Sequence, residues 1–167
     1  MISIWRFWIL IFQNKFLFST ALIFLFLSFT LAPISAQALE TLSFKEAKSY
    51  KERKAISFVK KTFQTPDIKY VLSAIDLNND GLNEYIIKPA SCSPNTFCQH
   101  HIVAFMKEQL ISLLSIKAQK IIIKDIHHYG VRDLMVYSSP MNDFEKSKYQ
   151  WNPFSYIYEQ KDGFKTR

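Results

Sequence analysis

From Ser43 onward the chain reads first with a helical and then with an extended period. Phe44, Ala47, Ile56, Val59 and Phe63 recur at three- and four-residue steps or multiples of them, and Pro66 ends the pattern. Ser43-Phe44-Lys45-Glu46 has the form of a capping box, in which the Ser hydroxyl takes an orphan amide and the Glu reaches back to the cap. A helix is therefore expected from Phe44 to Phe63, with one apolar stripe. Its outer face holds Lys45, Lys48, Lys51, Arg53, Lys54, Lys60 and Lys61 against Glu46 and Glu52. Such a face is either solvated or a docking surface for something anionic.

After Pro66 the β-branched runs are short and punctuated by turn residues. Lys69 to Ile75 and Glu84 to Lys88 are expected to form a hairpin across an acidic loop, and Pro89 stops it. His101 to Met106 reads as a third strand. Leu110 to Ile116 and Lys120 to Asp125 read as an antiparallel pair across Lys117-Ala118-Gln119. Leu134 to Ser138 is a further strand, Pro140 to Ser147 a polar loop, and Lys148 to Trp151 with Phe154 to Glu159 a last hairpin across Asn152-Pro153. The expected fold is α+β, an N-terminal helix packed on an antiparallel sheet of about eight short strands with hairpin connections.

The first 38 residues stand apart from this domain. Residues 1–37 hold no acid and only Arg6 and Lys15 as charges, with an apolar run from Phe16 to Leu31. Pro33 breaks the run, and Ala36-Gln37-Ala38 is a small-x-small cleavage site, so 1–38 reads as a secretory signal peptide and 39–167 as the mature domain. An uncleaved anchor facing outside the cytoplasm is the alternative, because the run approaches the length that spans a bilayer. No Cys follows the run, which argues against a lipid anchor there. After cleavage no membrane span is expected.

Charge and cysteines refine the compartment. The net charge of +7 falls to +5 once Arg6 and Lys15 are removed, enough for weak attraction to an anionic envelope polymer or membrane. The lysines are too dispersed for a nucleic-acid footprint, and no nucleic-acid partner is expected. Cys92 and Cys98 are the only cysteines, and an isolated pair in an exported chain reads as one disulfide. A redox or zinc role is the alternative, but five intervening residues fit neither chemistry's usual spacing.

The acidic loop carries the clearest candidate chemistry. Asp76, Asn78, Asp80 and Glu84 occupy positions one, three, five and nine of a loop whose sixth residue is Gly81, a calcium-loop pattern. Three carboxylates held roughly 4 to 5 Å apart repel by about 3 to 4 kcal/mol per pair at an effective dielectric near 20, so the loop favours a cation at its centre. Residues 123–136 can be laid over 74–87 without a gap. Asp125 then falls on Asp76, Gly130 on Gly81 and Asp133 on Glu84, while His127 and Tyr129 replace Asn78 and Asp80. The overlay reads as two related hairpins of which the second has lost two oxygen ligands, or as coincidence.

With Tyr85-Ile86-Ile87 after it, this loop resembles the calcium hairpin of the FG-GAP and VCBS repeats of integrin α-chains and many exported bacterial proteins. The resemblance implies a structural Ca2+ held by the side chains of Asp76, Asn78, Asp80 and Glu84 and by the backbone carbonyl of Leu82. The chain lacks the Phe-Gly and Gly-Ala-Pro elements of a full propeller blade. The loop also departs from an EF-hand, since its twelfth position is Ile87 and not a bidentate Glu, which argues against a calcium switch. The hairpin, the Cys pair and Tyr149-Gln150-Trp151 together resemble small exported bacterial proteins.

The remaining candidates are weaker. His100-His101 and His127-His128 with Asp125 or Asp133 invite a zinc reading, but neighbours on a strand point to opposite faces. No Gly-x-Ser-x-Gly, Ser-x-x-Lys or Cys-His signature is present, and three glycines leave no phosphate-cradling loop. Phe144, Tyr149, Trp151, Phe154, Tyr156 and Tyr158 are either alternating core residues or a face for a sugar or protein. The reading that results is a small exported binding or inhibitor-like module with a structural calcium hairpin, its partner an unidentified protein or anionic envelope polymer. An envelope hydrolase acting on cell-wall material is the alternative, and a His and a carboxylate convergent away from Asp76 would favour it.

Overall fold

A computed structural model describes residues 42–93, 96–138 and 146–163, all within one compact unit, Ala38–Arg167. The segment read as a signal peptide, Phe144 and most of the expected 140–147 loop lie outside the described residues. Among those described, no helix is long and apolar enough to cross a membrane.

The one described helix, α1 (Tyr50–Thr62), starts six residues later than the capping pattern at Ser43 indicated. The box that operates is Ser49-Tyr50-Lys51-Glu52. Ser49 Oγ accepts from the Glu52 amide at 3.2 Å, and Glu52 Oε2 accepts from the amides of Ser49 and Lys48, each at 2.7 Å. Residues around Ser43 are extended instead, because Lys45 exchanges both backbone hydrogen bonds with Leu72 at 2.9 Å. That pairing satisfies the Lys45 amide and carbonyl by a tertiary contact which no local pattern encodes.

Eight strands follow: β1 (Tyr70–Ile75), β2 (Glu84–Pro89), β3 (Cys98–Met106), β4 (Gln109–Ala118), β5 (Lys120–His128), β6 (Val131–Tyr137), β7 (Lys146–Asn152) and β8 (Ile157–Gly163). They form two antiparallel four-stranded sheets, β1-β2-β3-β4 and β5-β6-β7-β8, not one sheet of eight. The expected pairing across Lys117-Ala118-Gln119 does not form. β4 pairs with β3 through a turn at Lys107-Glu108, both at positive φ, while Gln119 alone links β4 to β5. Ala118 is fully buried, and the Gln119 amide already bonds to Tyr137 O at 2.9 Å, so the chain passes from one sheet to the other.

Two apolar cores explain why the first sheet's strands read as nearly continuous hydrophobic runs. On one face Tyr70, Leu72, Tyr85, Ile87 and Val103 receive Ala55 and Val59 of α1. On the other, Ile75, Ile86, Ile102, Ala104 and Leu113 pack against Ile121, Ile123, Leu134, Val136 and Tyr158 of the second sheet. The layers are helix, sheet, sheet. In β2 this leaves Glu84, Tyr85, Ile86 and Ile87 all buried, a charged residue at the head of a two-sided strand.

Candidate metal centre

The loop between β1 and β2 is eight residues long, 76–83, and its backbone is bent by Asn79 (φ 58°) and Gly81 (φ 81°). A Cβ at Gly81 would meet no atom within 4 Å, so the left-handed backbone and not crowding calls for glycine. Leu77 is fully buried and anchors the loop, while Leu82 is exposed.

The bends turn amides and side-chain oxygens toward one another. Asp76 Oδ1 accepts from the amides of Asn78 and Asp80, both at 3.3 Å, and its Oδ2 accepts from Gly81 N at 2.9 Å. Asp80 Oδ1 accepts from Leu82 N at 2.7 Å and its Oδ2 from Asn78 Nδ2 at 2.9 Å. Asn78 Oδ1 accepts from Asp80 N at 3.1 Å. Glu84 Oε2 closes the base by accepting from Leu77 N at 2.7 Å.

The electrostatics of these acids diverge. Desolvation raises the Asp76 pKa, but the amides of Gly81, Asn78, Asn79 and Asp80 outweigh it and hold the carboxyl below its ordinary value. Glu84 is pushed up to about 7, chiefly by burial and further by the charges of Asp80 and Asp76. A buried carboxylate whose ionised form is disfavoured by burial and by two other acids of the same loop is a group that a cation would stabilise in that form. The donors are all hard oxygens, which suit calcium rather than zinc or copper. Side chains of Asp76, Asn78, Asp80 and Glu84 and the Leu82 carbonyl fit such an ion by chemistry. Among the described residues, no three His, Cys, Asp or Glu side chains already gather as a metal cluster.

The β5–β6 hairpin differs in its turn and in how its carboxylate is compensated. Only Tyr129 and Gly130 separate the strands, at φ 52° and 79°, a two-residue turn of the type that suits a hairpin. Asp125 is exposed, whereas Asp133 is fully buried. Its Oδ1 lies 2.7 Å from His128 Nδ1, and its Oδ2 lies 3.1 Å from Lys148 Nζ and 3.2 Å from Gln150 Nε2. The carboxylate that aligns with Glu84 thus meets a lysine, an imidazole and a side-chain amide of the protein. Lys148 and Gln150 reach it because they alternate onto the same face of β7, which sequence reading did not connect to Asp133.

The two hairpins touch. Arg132 N donates to Leu77 O at 2.8 Å, and Asn79 Nδ2 lies 3.4 Å from His127 Nε2. The other histidines have separate roles. His100 Nδ1 lies 2.9 Å from Cys98 O, while His101, on the opposite face of β3, stacks 4.1 Å from Phe63 and bonds Ser115 Oγ at 3.0 Å. Burial lowers the pKa of both, that of His101 to about 4 with a further contribution from His100.

Cys92 and Cys98 are bridged, with Cα atoms 6.1 Å apart, and clip the link from β2 to β3. The C-terminal aromatics divide. Tyr158 is buried and donates to Arg132 O at 2.8 Å, Trp151 meets Tyr156 and Tyr158 edge-on, and Phe154 is exposed at the hairpin tip. No known protein family matches this chain, and no curated protein or solved structure matches it.

Proposed function

We propose that this chain is a small exported binding or inhibitor-like module whose first hairpin holds a structural calcium ion. One observation carries the reading: Glu84 is buried with its carboxyl pushed up to about 7 at the base of a loop that also holds Asp76 and Asp80. A calcium ion would supply the positive charge that the loop lacks, and the fold uses the Lys148 ammonium for the same purpose at Asp133. Export fits the Cys92–Cys98 bridge, since disulfides persist in oxidising compartments. Calorimetric titration of residues 38–167 with calcium should give one site with a dissociation constant of about 10⁻⁴ to 10⁻³ M, the range of extracellular structural sites. Absence of saturable heat overturns the ion. Mass spectrometry of protein from the native host should find Leu39 at the N-terminus, and an intact Met1 in a membrane fraction would establish an anchor instead.

The hydrolase reading has one observation in its favour, the His128–Asp133 pair at 2.7 Å. Lys148 and Gln150 fill the other side of that carboxylate, so charge compensation accounts for the group without a reaction. His128→Ala should therefore leave any envelope-directed activity of the protein unchanged.

A further inference from the structure

The loop between β1 and β2 has two sides. Asp76, Asn78 and Asp80 turn their side-chain oxygens toward one another and toward the loop's own amides, while the residues between them reach the second sheet. Leu77 O accepts from Arg132 N at 2.8 Å, and Asn79 Nδ2 lies 3.4 Å from His127 Nε2. Arg132 and His127 are themselves cross-strand partners in the β5–β6 hairpin. Two loop residues, each flanked by proposed ligands, thus hold one rung of the other sheet.

Leu77 is the closer link. Its side chain is fully buried in the core that both sheets share, with Ile75 and Ile86 of the first and Leu134 and Tyr158 of the second. Its amide donates to Glu84 Oε2 at 2.7 Å, so one residue joins a carboxylate of the loop to the backbone of β6. Among the described residues, and apart from Gln119 at the crossing, this is the one backbone hydrogen bond that passes from the first sheet or its loops to a strand of the second. Arg132 is gripped from the far side as well, since its carbonyl accepts from the Tyr158 hydroxyl of β8 at 2.8 Å.

We infer that Leu77 and Asn79 are positioning residues that couple the filling of the ion loop to the seating of the second sheet. An ion held by Asp76, Asn78 and Asp80 fixes the backbone between them, and with it the Leu77 carbonyl and the Asn79 side chain. Without the ion the acids of the loop repel one another, and both ties loosen. This rests on the calcium reading and extends it, because the ion then stabilises the contact between the sheets and not the first hairpin alone. Such coupling is reciprocal, so loosening a tie from the second sheet lowers calcium affinity.

The test pairs calorimetric calcium titration of residues 38–167 with hydrogen–deuterium exchange, in chelator and in calcium at about 100 times the dissociation constant. Where the Arg132 bond opens together with an unfilled loop, peptides covering 127–133 should exchange up to about 100-fold more slowly with calcium. The β3–β4 turn at Lys107-Glu108 takes no part in either tie and should exchange unchanged. His127→Ala removes one tie without altering a ligand and should weaken calcium binding about two- to threefold. His127 is exposed, so its variant keeps the fold, and an imidazole bears no negative charge whose loss could weaken a cation site. Calcium heat without slower exchange at 127–133, or with equal slowing at the β3–β4 turn, overturns the coupling and leaves the ion site standing. Unchanged affinity in His127→Ala overturns the part given to Asn79. Absence of heat overturns the ion and the coupling together.

Discussion

Glu84 Oε2 accepts a hydrogen bond from the Leu77 amide at 2.7 Å, closing the acidic loop at its base and holding the carboxylate inside the fold. With its pKa at about 7 against an ordinary 4.5, the folded state binds more protons than the unfolded state between those values. In chelator this contribution to stability is present at low pH and is lost as pH rises from about 4.5 to about 7, by up to about 3 kcal/mol. His101, depressed from 6.5 to about 4, acts in the opposite sense, because the unfolded state takes the proton first and stability falls as pH drops through that window. The two effects oppose one another in the wild type, and difference profiles separate them. Urea unfolding of wild type minus Glu84→Gln should decline between pH 4.5 and 7, and wild type minus His101→Phe should rise between pH 4 and 6.5. A flat difference in either case refutes the corresponding assignment.

At Asp133 an asymmetry is expected between removing the carboxylate and removing its lysine partner. Lys148→Met leaves a fully buried carboxylate with weaker compensation and should cost about 3 to 5 kcal/mol in urea unfolding. Asp133→Asn removes the charge itself and leaves Lys148 and His128, both partly exposed, free to turn to water, so it should cost clearly less. The reverse order would mean that Asp133 is held mainly by its neutral hydrogen bonds.

The helix start gives a third prediction. Ser49→Ala should lower stability by about 1 kcal/mol, and Ser43→Ala should have no measurable effect on the thermal midpoint. A larger loss at Ser43 would place the working cap where the local pattern first suggested it.

That pair of serines also shows how far the chain could be read locally. Ser43-x-x-Glu46 and Ser49-x-x-Glu52 have the same form, and Phe44 and Ala47 do pack against the cores, although from outside the helix. Apolar spacing marked their burial, while the bridge between Lys45 and Leu72 decided their conformation. The hairpin of β1 and β2 and the Cys92–Cys98 bridge were legible because turn chemistry and a lone cysteine pair are local signals. The division into two sheets was not, since β4 and β5 are both Ile-rich runs and only tertiary packing distinguishes a turn from a crossing at Gln119. Likewise Asp133 stood out in the overlay, but its partner Lys148 is brought to it by the β6–β7 pairing, which no spacing in the sequence reveals.

Whether Asp76, Asn78, Asp80, the Leu82 carbonyl and Glu84 hold calcium is decided by thermal melting of residues 38–167 in chelator and in excess calcium. At calcium 100 times the dissociation constant the linkage is about 2.7 kcal/mol, a rise of several degrees for a domain of this size. Asp80→Ala should abolish most of that rise. Asp133→Ala should melt lower in both conditions yet keep the calcium-dependent difference. Wild-type curves that superimpose with and without calcium would contradict the account, leaving the loop a polar turn built on Asp76 and Gly81 alone.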